Sequence, residues 1–109
     1  MDYKTIANDG IVEEEIKKSR FICHLKRISN EEEGREYIAQ IKKEHHKANH
    51  SCSAMIVGDD GQIKRSSDDG EPSGTAGVPM LTVLEKQGLT NVVAVVTRYF
   101  GGIKLGAGG

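Results

Sequence analysis

The feature that most constrains this chain is residues 92–96, an unbroken apolar run made almost wholly of valine. β-Branched side chains are stiff at χ1 and pack well on a pleated surface, so the run favours a strand. It has no polar residue to turn toward water on either face. Such a strand lies at the centre of a sheet and is covered on both sides. The remainder of a 109-residue chain must supply the neighbouring strands and the covering helices, and this length suits one domain with one core.

Asn8-Asp9-Gly10 is a turn signal, and residues 11–17 then read as a short strand with a glutamate-rich outward side. Residues 20–28 read as a second strand. Its two-residue period places Phe21, Cys23 and Leu25 on one face and Ile22, His24, Lys26 and Ile28 on the other. A helix is expected from Ser29 or Asn30 to about Lys47, opened by a capping box between Ser29 and Glu32. Gly34, Tyr37, Ile38, Ile41 and His45 form its stripe, with acids in front and Lys42, Lys43 and Lys47 behind, as the helix dipole favours. Residues 51–57 and 62–66 flank Gly58-Asp59-Asp60-Gly61, a composition that predicts an antiparallel hairpin. Met80, Leu81 and Leu84 share a helical face, and Pro79 fits only a first turn, so a second helix begins near Val78 and stops at Gly88. The order β-β-α-β-β-α-β is an α+β fold, expected as a two-layer sandwich.

No apolar run approaches the roughly 18 residues needed to span a bilayer, and the first residues, with Asp2, Lys4 and Asn8, lack a secretory apolar segment. A cytoplasmic location is the default, and there Cys23 and Cys52 are expected as free thiols inside the core. With 16 acidic and 15 basic side chains the formal charge is −1, so no strongly basic face announces nucleic-acid binding.

Most of the 13 glycines fall in two polar stretches, residues 67–77 and 98–109, which is more than chain reversal needs. In the first, Ser73-Gly74-Thr75-Ala76-Gly77 precedes a helix and can point several backbone N–H groups at one spot, a cradle for phosphate or carboxylate. The alternative is a tight connection with Ser73 or Thr75 as a cap. The Walker pattern is absent and the spacing does not match GxGxxG. Asp68, Asp69 and Glu71 could bind a hard cation or act as acid/base groups, although neighbours on extended chain point apart. In the second stretch Arg98, Tyr99, Phe100, Gly101, Gly102 and Lys104 combine cations, rings and open backbone, the side-chain types that grip phosphates and stack on bases. Arg98 could equally pair with Asp68, Asp69 or Glu71 as a strut between the loops. The histidines and cysteines lack CxxC or HExxH spacing, so no metal or other cofactor is expected.

Residues 68–77 and 98–109, supported by residues 18–22 and 50–54, closely resemble the IMPACT family, and in particular its bacterial branch. The resemblance covers nearly all of the chain. It implies the family's N-terminal domain, with the fold shared by a ribosomal-protein domain and elongation factor G domain IV. It also implies that a last helix and a second small C-terminal domain follow Gly109; residues 105–109 themselves read as the approach to a helix, and a sheet face left bare without it is expected to favour self-association. Eukaryotic members regulate translation by competing for the activator of a stress-responsive initiation-factor kinase, and the bacterial role is linked to nucleic acid or the ribosome. Carried onto this chain, the binding surface is Asp68, Asp69, Gly70, Glu71, Ser73, Gly74, Thr75 and Gly77 with Arg98, Tyr99, Gly101, Gly102 and Lys104, and no catalytic residue comes with it. The expected function is a non-enzymatic module that contacts RNA, the ribosome or a regulatory protein. The alternative is an enzyme acting on a phosphorylated small molecule or nucleotide, with Asp69 or Glu71 as its acid/base group.

Overall fold

The computed structural model describes residues 4–100. Five strands and two helices follow in the order β1 (Gly10–Ile16), β2 (Ser19–Arg27), α1 (Glu31–Glu44), β3 (His50–Val57), β4 (Ile63–Ser67), α2 (Gly77–Lys86) and β5 (Val92–Phe100). The strands form one antiparallel sheet in the order β1-β2-β5-β3-β4. The valine strand is therefore central, as its composition requires. Val92, Val93 and Val95 are fully buried, and burying such a side chain contributes roughly 1.5 kcal/mol or more.

Register assigns every side chain to a face. Ile22 and His24 lie opposite Thr97 and Val95, and Ser53 and Met55 lie opposite Val95 and Val93. That face carries α1, with Ile28, Ile41, Met55, Val57, Val93 and Val95 as its core and Tyr37 and Ile38 packed on it. The alternate residues Ala54, Ile56 and Val92 meet Leu84 of α2, with Met80, Leu81 and Leu89 around them. Because consecutive strand residues point to opposite faces, α1 and α2 cover opposite sides of the sheet. The two-layer expectation is corrected: the described residues form helix, sheet and helix. The expected last helix and second domain lie outside the described residues.

Element boundaries differ from the sequence reading where local chemistry decides them. Of the two expected helix starts Asn30 is the cap, and in place of the Ser29 and Glu32 pairing Asn30 accepts from the Glu33 amide at 2.8 Å, while Glu33 accepts from the Ser29 amide at 2.7 Å. The helix ends at Glu44, short of Lys47, where the His45 N–H closes on the Ile41 carbonyl. β5 continues through Phe100 because β2 flanks it to Ser19 and β3 flanks it to His50. Arg98 and Tyr99 thus stand on a paired strand and not in a loop.

Candidate functional site

The loop 68–77 is anchored by its first two residues, which point apart. The Asp68 carboxylate accepts from the backbone N–H groups of Gly74, Ala76 and Gly77 at 2.8, 3.1 and 2.8 Å. These are the amides at the N-terminus of α2, where the dipole favours an anion. The N-cap residue Ala76 offers no side-chain acceptor, so Asp68 caps the helix from eight residues upstream. The amide bonds, that from Gly74 foremost, hold the Asp68 carboxyl below the usual carboxylate range. The cradle foreseen for an external anion is filled by the chain's own carboxylate.

Asp69 turns the other way. Its carboxylate accepts from the Ser51 amide at 2.6 Å and from Lys42 Nζ at 3.2 Å, and its carbonyl meets His50 Nδ1 at 2.9 Å. With φ of 47° at Asp69 and 89° at Gly70, the chain turns sharply here through left-handed backbone, which Asp and Gly tolerate best. The Cys52 thiol donates to the Asp68 carbonyl at 3.2 Å. Burial, reinforced by Glu71, Asp69 and Asp68, pushes that thiol up to about 11, so it stays protonated at neutral pH and is no nucleophile.

Glu71 brings the loop to β5. Both of its carboxylate oxygens accept from one Arg98 nitrogen, at 3.2 and 3.0 Å. The guanidinium carbon stands 5.3 Å from the Phe21 ring centroid and 4.6 Å from that of Phe100, a double cation–π contact. Beside this pair opens a cleft of about 440 Å³ lined by Phe21, Cys52, Pro72, Thr75, Met80 and Val96 among others. The Thr75 hydroxyl donates to the Pro72 carbonyl, and Ser73 and Gly74 stand exposed at the loop's crest. Gly77 is required by close approach: a Cβ there would lie 2.7 Å from the Ser67 backbone nitrogen.

Tyr99, next to Arg98, points to the opposite face. Its hydroxyl meets His45 Nδ1 at 2.6 Å, and Arg20 lies 5.1 Å over its ring. The structure thus gathers Asp68, Asp69, Gly70, Glu71, Ser73, Gly74, Thr75, Gly77 and Arg98 around one loop and places Tyr99 behind the sheet. Gly101, Gly102 and Lys104 lie outside the described residues. Phe21, His50, Ser51, Cys52 and Met80 also build this region and were not singled out as site residues. The strand register, His50 opposite Arg98 and Phe21 opposite Arg98 from the other side, is the signal that finds two of them.

The Impact N-terminal domain family matches residues 17–109. Among relatives, the Bacillus subtilis IMPACT family member YvyE is 60% identical over 98% of this chain and 49% of its own length. The Escherichia coli IMPACT family member YigZ is 49% identical over 90% of this chain and 49% of its own length. A Saccharomyces cerevisiae IMPACT homolog is 32% identical over 92% of this chain and 39% of its own length. The chain therefore spans about half, or less, of the length of the curated relatives it matches. A crystal structure of a hypothetical protein superposes with a TM-score of 0.85 at 45% identity, over 90% of this chain and 48% of that one. The two-domain translational regulator Yih1 superposes with a TM-score of 0.66 at 26% identity, over 93% of this chain and 41% of that one.

Proposed function

This chain belongs to the IMPACT family, and we propose that it is a non-enzymatic binding module acting in the regulation of translation. Yih1, a translational regulator, shares its fold, and kinship with a ribosomal-protein domain and elongation factor G domain IV is part of the same proposal. The observation that favours binding over catalysis is the internal use of the loop's chemistry. An enzyme handling a phosphorylated substrate would need the amides of Gly74, Ala76 and Gly77 free, and Asp68 holds all three. Of the two candidate acid/base groups, Glu71 is committed to Arg98 and Asp69 to the Ser51 amide and Lys42. What the loop presents outward is a preorganised surface around Ser73, Gly74 and Thr75, which suits recognition of a partner at low entropic cost.

The partner under this reading is the ribosome or its RNA, in the cytoplasm, with a regulatory protein as the other member of the class. The test adds purified chain to a reconstituted translation reaction and measures its retention on ribosomes through a sucrose cushion. Dose-dependent change in protein output together with salt-dependent co-sedimentation is expected. Retention should weaken when Arg98 and Lys104 are both replaced by alanine in a variant that circular dichroism shows to be folded. Unchanged output with no co-sedimentation across a range of salt overturns the reading, and a thermal shift with a sugar phosphate or nucleotide would transfer it to the enzyme class.

A further inference from the structure

A different part of the sheet presents a second interaction surface. Among the described residues β1 is an edge strand that pairs only with β2, and each of its residues from Gly10 to Ile16 is exposed. Ile11 and Val12 keep 67% and 61% of their surface in water. Lys17 and Lys18 both have positive φ, 50° and 68°, the geometry of a two-residue primed hairpin turn. In such a turn Ile16 and Ser19 form the closing hydrogen-bonded pair, and antiparallel pairing alternates from there. The backbone N–H and C=O groups of Ile11, Glu13 and Glu15 therefore point outward along the open edge. Glu13 is tied to Arg20 at 2.6 Å, whereas Glu14 and Glu15 make no ion pair among the described residues.

We propose that the β1 edge binds an extended basic peptide segment as a sixth strand, its cationic side chains opposite Glu13, Glu14 and Glu15 and its apolar ones opposite Ile11, Val12 and Ile16. Strand addition of this kind takes affinity from main-chain hydrogen bonds and specificity from alternating side chains. Charge selects the occupant. A second copy pairing through β1 would set carboxylate against carboxylate, which directly opposed strand positions disfavour. The basic residues on the other sheet edge are already engaged, Lys64 with Glu85 and Arg65 with Glu31. This surface is separate from the loop 68–77, so its test stands or falls independently of the ribosome experiment.

The probe is a capped peptide of about six residues with Lys-Arg-Lys flanked by valines, titrated into ¹⁵N-labelled chain. Shifts confined to the amides of β1 and β2 are expected. The same peptide with alternate backbone nitrogens methylated keeps its charge and loses its donors, and it should bind at least about tenfold more weakly. A Glu14→Lys, Glu15→Lys variant should lose about tenfold in affinity. Glu15→Pro removes one outward N–H without touching the β2 ladder and should weaken binding while the rest of the spectrum is unchanged. Equal binding of the methylated peptide, indifference to these variants, or absence of binding overturns the proposal. So does concentration-dependent pairing of the chain with itself through β1, which would assign the edge to a second copy.

Discussion

Asp68 and Arg98 carry the loop at the scale of single residues. The Asp68 carboxyl titrates lower in the folded chain than in the unfolded one because three amides favour its charged form. Its contribution to stability is thus fully present above the ordinary carboxylate value near 4 and is lost as pH falls through the folded value. Asp68→Asn retains one acceptor oxygen but turns an amide group toward the α2 donors. The variant should show a lower urea midpoint at pH 7, and the gap from the parent should close as pH drops below about 4. A gap independent of pH would mean that the charge of Asp68 is not what holds the helix. For the ion pair, a double-mutant cycle on Arg98→Ala and Glu71→Ala should give a coupling of about 1 kcal/mol, modest because Arg98 remains partly exposed. Arg98→Ala should be the more costly single change, since it also removes the contacts with Phe21 and Phe100. Equal costs in denaturant would deny the rings a role.

At the scale of elements, two glycines that each meet a neighbour closely predict different outcomes. A Cβ at Gly77 would sit within 2.8 Å of the Ser67 carbonyl group, backbone that is held in the β3–β4 ladder and cannot yield. Gly77→Ala should therefore push α2 off the sheet and cost about 2 kcal/mol or more. At Gly34 the Cβ would meet Met55 Sδ at 2.7 Å, the end of a flexible side chain. Alanine also gains up to about 1 kcal/mol of helix propensity there, so Gly34→Ala should cost less than Gly77→Ala in the same urea titration. An inverted order would mean that α1 and not α2 sets the tighter contact. The elements themselves were legible because their periods are strong: the valine run, the stripe from Tyr37 to Ile41 and the Gly58 to Gly61 turn all appear as read. What escaped was long-range. The cap of α2 lies at Asp68, eight residues before the helix end it serves, and no local capping pattern encodes it. The extension of β5 to Phe100 depends on partners distant in sequence, β3 through His50 and β2 from still farther upstream, where Thr97 Oγ1 reaches the Ile22 carbonyl across 75 residues. The layer count failed for a related reason. The valine run demanded cover on both faces, yet which helix takes which face follows from register, and register is not written in either helix.

The whole molecule answers to falling pH first through one residue buried between α1 and the sheet. His24 is 2% exposed, its Nδ1 has no hydrogen-bond partner among the described residues, and its ring lies 5.1 Å from that of His45. Burial first, and His45 second, hold its pKa below the usual histidine value, with Glu44 opposing. The folded chain thus resists a proton that the unfolded chain accepts near pH 6.5. The stability that follows from keeping His24 neutral is complete above that value and declines as pH falls toward the folded value, because the unfolded state then binds the extra proton. Asp68 and Asp9, the latter held low by the Arg27 amide, have the same sign at lower pH, so the histidine and the carboxylates act in sequence: the free energy of unfolding should fall in one step below about 6.5 and in a second, to which Asp68 contributes, below about 4. His24→Leu removes the first step and leaves the second, at some cost in packing. Urea titrations from pH 7.5 to 3 on the parent, His24→Leu and Asp68→Asn would separate them. A parent curve flat between pH 7 and 5 would show that the proton reaches His24 in the folded chain without penalty. In that case the polar group of Thr97, His45 and Tyr99 around it would have to supply the hydrogen bond that Nδ1 lacks.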